Sequence, residues 1–337
     1  MDLSCVAYDP DLRPGARNAV NACLRLQPGE RVTLVADLEA IEIAAALARE
    51  IERVGAPYRA FLLEEIAERP LAAMPGEVLA DLEHSQASLF AASAEEGELR
   101  ARIQLTDVTT RLGIRHGHMV SITPRIMREG MRADFDEVDR LSQRLLERAR
   151  ATRSIRVTSR GGTDITAEFS PLLRWIKTSG IITREKWGNL PGGEVFTSPR
   201  EVNGRFVVDG VVGDYLCRKY GDLRATPLTV EVSGSRITAI ACDNDALLDE
   251  FSAYVSTDEN SNRVGEFALG TNTAVRDVVG NILQDEKIPG VHVAFGHPYA
   301  HHTGADWVSS THIDCVGRDY DVWMDGEQVM REGRYLI

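Results

Sequence analysis

Arg31-Val-Thr-Leu-Val-Ala-Asp37 decides the fold class. A run of apolar and β-branched residues that ends on an acid reads as a strand buried on both faces. Directly after it, Ala44, Leu47, Ala48, Ile51 and Val54 recur at helical spacing, and Gly55 marks the stop. Residues 58–63 and 88–92 read as further strands, and 116–122 as another. Strands alternating with helices predict βα units around a mostly parallel sheet. No G-x-G-x-x-G or G-x-x-x-x-G-K-[ST] follows these strands, so no nucleotide is assigned.

Working outward, Asp134 and Glu137 open a long helix whose apolar face is Val138, Leu141, Leu145 and Ala149. It is expected to end near Thr152, which sets two domains: an α/β domain over 1–152 and a β-rich α+β domain over 153–337. In the second, residues 154–159 and 165–169 flank a Gly-Gly turn. Residues 228–232 and 236–240 flank Ser233-Gly234-Ser235, and 321–324 and 327–331 flank Asp325-Gly326. Two helices are expected between them. One carries Leu247, Leu248, Phe251 and Val255, the other Val275, Val278, Val279 and Ile282.

Composition removes whole classes of function. The 337 residues carry a net charge of −13, against what a nucleic-acid-binding face or a charge-held membrane protein needs. No window is long and apolar enough to span a bilayer. Met1-Asp2-Leu3-Ser4-Cys5 is not the basic start of a secretory leader. The five cysteines are scattered, with no Cys-x-x-Cys, which fits free thiols in a cytoplasmic protein.

The chemistry is announced by histidine. Five of the eight fall between 292 and 312: His292, His297, His301, His302 and His312. On a strand, His312 and Asp314 point to one face while Ile313 and Cys315 pack behind. An imidazole and a carboxylate so placed suit a divalent metal, although such a pair also occurs on ordinary surfaces. His292 sits in an apolar run, where a satisfied core histidine is the alternative. Glu286 lies in Asp285-Glu-Lys-Ile-Pro-Gly290, which by itself reads as a solvated turn. Glu194 follows Pro191-Gly192-Gly193, where glycine permits positive φ. Glu266 is flanked by strand-like residues after Arg263. A buried acid needs a partner, either a metal or a base such as Arg263.

At these residues the chain resembles the M29 aminopeptidases. Asn189-Leu-Pro-Gly-Gly-Glu-Val-Phe-Thr-Ser-Pro199, Gly265-Glu-Phe-Ala-Leu269, Gly290-Val-His-Val-Ala-Phe-Gly296 and His312-Ile-Asp314 are similar to that family's metal motifs. The resemblance implies an α/β domain followed by a β-rich metal domain. It implies that Glu194, Glu266, Glu286, His292, His312 and Asp314 bind two divalent ions (Zn, Mn or Co). Glu266 or Asp314 would bridge them, and the ions would activate a water against a carbonyl carbon. Tyr299 falls on the family's catalytic tyrosine, and His297, His301 or His302 would carry protons to the leaving amine. The substrate class is a small peptide or amide, and the assembly a homodimer. The chain departs from the family in its shorter length, in one extra residue between Glu286 and His292, and in the His301-His302 pair.

The chain is more distantly similar to the 2,5-dihydroxypyridine dioxygenases, which use one Fe(II) held by two histidines and one aspartate. Their first histidine aligns with Glu266, so the acids at 266 and 194 favour the two-metal hydrolase. His116 and His118, at a strand start, are expected either to reach substrate or to sit on a surface or interface.

Overall fold

The computed structural model describes residues 3–95 and 97–337. Met1 and Asp2, read above for a leader, lie outside the described residues. Contacts divide the chain into two compact units. One comprises Met1–Asp139 with Gly180–Gly192, the other Arg140–Ser179 with Gly193–Ile337. The change of unit falls inside the helix Phe135–Ala151, and residues 180–192, which a single cut at 152 leaves in the second half, return to the first unit.

The first unit is built on a parallel sheet in the order Tyr58–Leu62, Val32–Ala36, Ala87–Ala91, Arg115–His118 and Gly188–Asn189. Val32–Ala36 is buried at every position, as a strand covered on both faces must be, which explains a run apolar but for Thr33, whose hydroxyl donates to Asp81. The helix Ile41–Val54 follows it and ends at Gly55, whose φ of +80° is the left-handed cap that glycine adopts without strain. The strand expected over 116–122 stops at His118. Ser121 turns left-handed with φ +54°, and Thr123 and Pro124 start a new helix.

The second unit holds two antiparallel sheets. Eight strands run in the order Arg236–Ala241, Leu228–Ser233, Glu201–Val208, Asp164–Glu168, Ser154–Ser159, Tyr320–Met324, Glu327–Arg331 and Arg334–Tyr335. Five more run His312–Val316, Gly290–Gly296, Val264–Gly270, Glu194–Thr197 and Ile176–Thr178. All three expected hairpins are present. Ile155, Val157, Phe206 and Val208 from the larger sheet share one core with Phe267, Val293, Phe295 and Ile313 from the smaller.

The helix Asp245–Tyr254 forms as its periodicity predicts, capped by the Asn244 side chain at the Leu247 N–H. The helix expected from Val275 to Ile282 does not. Only Ile282–Asp285 is helical. The Asp285 carboxylate accepts the N–H groups of Val279, Gly280 and Asn281 at 2.8–2.9 Å, which bends the preceding segment into a loop. Val278 packs from that loop against Val211, Cys217 and Val316. The five cysteines are free thiols, and no helix among the described residues is long and apolar enough to cross a membrane.

Candidate metal centre

Strand periodicity builds the site. In the five-stranded sheet, Glu194, Glu266, His292, His312 and Asp314 all occupy positions that share one face. The alternate positions, Val195, Phe267, Leu269, Val291, Val293, Phe295, Ile313 and Cys315, belong to the apolar core behind. Cross-strand register shows what lies between the donors. Gly270 pairs with Glu194, Ala268 with His292, Ala294 with both Glu266 and Asp314, and Gly296 with His312. Small residues at these places leave room above the sheet. Glu286 comes from the C-terminal end of the turn Ile282–Asp285.

All six residues read from the sequence as metal ligands meet here. They form three overlapping triads whose ligand atoms lie within 4.8 Å of one another: Glu194–Glu266–His292, Glu266–His312–Asp314 and Glu286–His292–Asp314. Glu266, His292 and Asp314 each serve two triads. His292 Nε2 is central, 3.2 Å from Glu266 Oε1, 3.7 Å from Glu194 Oε2 and 3.9 Å from Asp314 Oδ1. His312 Nδ1 donates to the His297 carbonyl at 2.9 Å, which turns Nε2 toward Asp314 Oδ1 at 3.3 Å.

The electrostatics are those of a cage that wants cations. Burial opposes charge on His292, but the hydrogen bond to Glu266 and the surrounding carboxylates outweigh it and raise the imidazole to about 9. His312 is raised to about 10 against the same burial, mainly by Asp314. Burial lifts Glu286 to about 8. Asp314 is held down to about 2, because His312 and His292 outweigh its burial. Asp314 Oδ1 is buried and accepts no well-aligned hydrogen bond, although His312 Nε2 lies 3.3 Å away. Such a carboxylate oxygen facing two imidazoles and two further acids fits a divalent ion of the Zn, Mn or Co type.

The base that pairs with these acids is not Arg263, which stands over the Trp307 ring at 4.3 Å. It is Lys287, missed in the sequence. The stretch read as a solvated turn is buried: Asp285 is 0% and Lys287 1% exposed. Lys287 Nζ lies 2.8 Å from Glu194 Oε1 and also pairs with Glu286 Oε1. Thr178 Oγ1 donates to the same Glu194 oxygen at 2.7 Å.

Tyr299 is 39% exposed, with its ring 4.6 Å from that of His312. Desolvation and the carboxylates of Glu266, Asp314, Glu286 and Glu194 hold its phenol above the ordinary value. Its backbone is left-handed, φ +49°, and its N–H donates to His297 Nδ1 at 3.0 Å. His301 and His302 lie on the short turn Ala300–Thr303 with exposed side chains, and their carbonyls accept from Arg174. His116 and His118 are buried inside the first unit, neither on a surface nor at an edge. His116 bonds Ser88 Oγ through Nδ1 at 2.8 Å and His118 Nδ1 through Nε2 at 3.1 Å.

The family model for thermophilic metalloproteases (M29) matches residues 120–318, more than half of the chain. The chain belongs to the M29 family. No curated protein matches it by sequence. Among solved structures, wild-type AmpT from Thermus thermophilus is 19% identical with a TM-score of 0.69, over 98% of this chain and 100% of that one. The 2,5-dihydroxypyridine dioxygenase from Pseudomonas putida KT2440 is 16% identical with a TM-score of 0.69, over 96% of each chain. At these identities the likeness shows that all three share a fold. M29 membership and the cage of carboxylates and histidines make this M29 chain a metallopeptidase relative with a candidate metal site.

Proposed function

We propose that this M29 protein is a metal-dependent hydrolase of peptide or small amide bonds, an aminopeptidase that works with two divalent ions. One observation carries the reading. Each of the three donor triads contains one histidine and two carboxylates. Iron oxygenases of the non-haem type favour two histidines and one carboxylate, a combination not found in any of these triads.

Glu194, Glu266, Glu286, His292, His312 and Asp314 would hold the ions. Bound there, the ions would supply Lewis acidity for the scissile carbonyl and for an attacking water. Glu266 is the best candidate to serve both ions, since Oε1 faces His292 and Oε2 faces His312. Tyr299 keeps its phenolic proton at neutral pH and is accessible, so its O–H can donate to the carbonyl oxygen as negative charge develops. His312, fixed through Nδ1, meets the tilted Tyr299 ring at 4.6 Å between centroids. A substrate α-amine would find its counter-charge among the cage carboxylates.

The test is paired. Protein loaded with Zn, Mn or Co is assayed on amino-acid amides and dipeptides, and the Fe(II)-loaded protein on 2,5-dihydroxypyridine with an oxygen electrode. Amine release with no dioxygen uptake is expected. Dioxygen uptake without amide hydrolysis would replace this reading by the ring-cleaving one.

A further inference from the structure

The cage contains a cation of its own. Lys287 Nζ is buried beside Glu194 and Glu286, and its backbone is fixed at both ends. Its N–H donates to the Gln284 carbonyl at 2.8 Å, and its carbonyl accepts from Asn272 at 3.0 Å. The fixed backbone thus places the ammonium between the two carboxylates. Glu194 belongs only to the first triad and Glu286 only to the third. Among the described residues the remaining triad, Glu266–His312–Asp314, makes no direct ion pair with Lys287, whose charge reaches it only as the smallest of the influences named on Asp314.

We propose that Lys287 makes the two halves of the cage unequal. The Glu266–His312–Asp314 triad takes the first divalent ion tightly. The Glu194–Glu286 half takes a second only in competition with the ammonium. This deepens the metallopeptidase reading and rests on it.

Charge counting gives the physical reason. In the deprotonated forms that bind a metal, four carboxylates and two neutral histidines, together with one ammonium, leave three negative charges. One divalent ion reduces this to one, and a second overshoots to one positive charge in a buried site. Without the ammonium, two ions neutralise the cage. Excess charge away from water is costly, so the second ion bears the cost of the lysine. The ammonium also occupies Oε1 of both Glu194 and Glu286, leaving each one oxygen to offer.

The experiment is calorimetric titration of metal-stripped protein with manganese(II) alone. The wild-type chain is expected to bind in two steps, the second weaker by about 10-fold or more. Lys287→Met should tighten the second step by a similar factor and leave the first unchanged, and Lys287→Arg should keep the gap. Should the methionine variant fail to fold, two others decide. Glu194→Gln retains the tight step and His312→Ala loses it; the reverse pattern overturns the assignment. Two equal steps in the wild type would overturn the inequality while leaving the metal cage intact. Absence of any binding would overturn the metallopeptidase reading itself.

Discussion

Gly193 and Asn272 approach so closely that a Cβ on the glycine would stand 2.7 Å from the Asn272 Cβ and 2.8 Å from its amide nitrogen. The glycine also has φ +137°, a conformation that other residues avoid. Its N–H donates to Thr178 and its carbonyl accepts from Thr271, both at 2.8 Å, so the peptide before Glu194 is locked between two segments. Gly193→Ala must therefore shift backbone, and with it the Glu194 carboxylate. We expect metal affinity to fall about 10-fold or more, with stability lowered by about 1–3 kcal/mol. Chelator competition and urea unfolding read the two effects. Unchanged affinity would mean that this backbone does not position Glu194.

Ala294 is the second steric lever. It pairs across the sheet with Glu266 on one side and Asp314 on the other, and its side chain shares their face. Ala294→Leu would put a branched side chain between two donors of the tight triad. Overpacking of this kind costs about 1–3 kcal/mol, so the variant is expected to fold while losing the first ion. Calorimetry on the variant checks this. Wild-type binding would show that the space above Ala294 is not part of the site.

Periodicity explains what was legible in the sequence and what was not. His312 and Asp314 were readable because two residues on one strand suffice, and Glu194 because Gly193 announces a special backbone. Assembly of five donors on one sheet face, joined by Glu286 from a turn, needs register between distant strands, which no local pattern carries. Lys287 was illegible for a related reason. Glu-Lys before Ile-Pro-Gly has the composition of a solvated turn, and its burial comes from strands near 194 and 270. Val275, Val278 and Val279 have helical spacing, yet the Asp285 carboxylate captures the N–H groups of Val279, Gly280 and Asn281. The short strand Gly188–Asn189 offers too few residues for any period to show.

The first unit has its own buried charge node. Arg69, 7% exposed at its side chain, bonds Glu98 through Nε and Nη2 at 2.9 and 2.6 Å, Asp37 through Nη1 at 3.0 Å, and the Ser93 carbonyl through Nη2 at 2.9 Å. Asp37 and Glu98 are 1% exposed. Arg69→Met would leave both carboxylates buried without their cation, a loss of about 3–5 kcal/mol. Arg69→Lys should recover little, because a single ammonium cannot replace the two-pronged contact. Urea midpoints measure both. A variant within 1 kcal/mol of wild type, roughly the value of an exposed pair, would mean the node is not load-carrying.

The histidine pair of the first unit gives a pH dependence with a definite sign. His116 is held down to about 3 by burial, and His118 well below its ordinary value by burial, by His116 and by Arg102. His118 stacks on Phe90 at 5.0 Å between ring centroids, and Trp187 meets both imidazoles edge-on. Both histidines are thus neutral in the folded chain, whereas the unfolded chain takes up protons below about 6.5. Their contribution to stability is complete above that pH and is lost as pH falls toward 3. At pH 5 His116 costs about 2 kcal/mol relative to pH 7.5. His118→Gln should therefore lose less stability than wild type between pH 7.5 and pH 5, whatever its stability at pH 7.5. Urea unfolding followed by tryptophan fluorescence at the two pH values makes the comparison. An equal wild-type-to-variant difference at both would mean that His118 does not gain a proton on unfolding in this range.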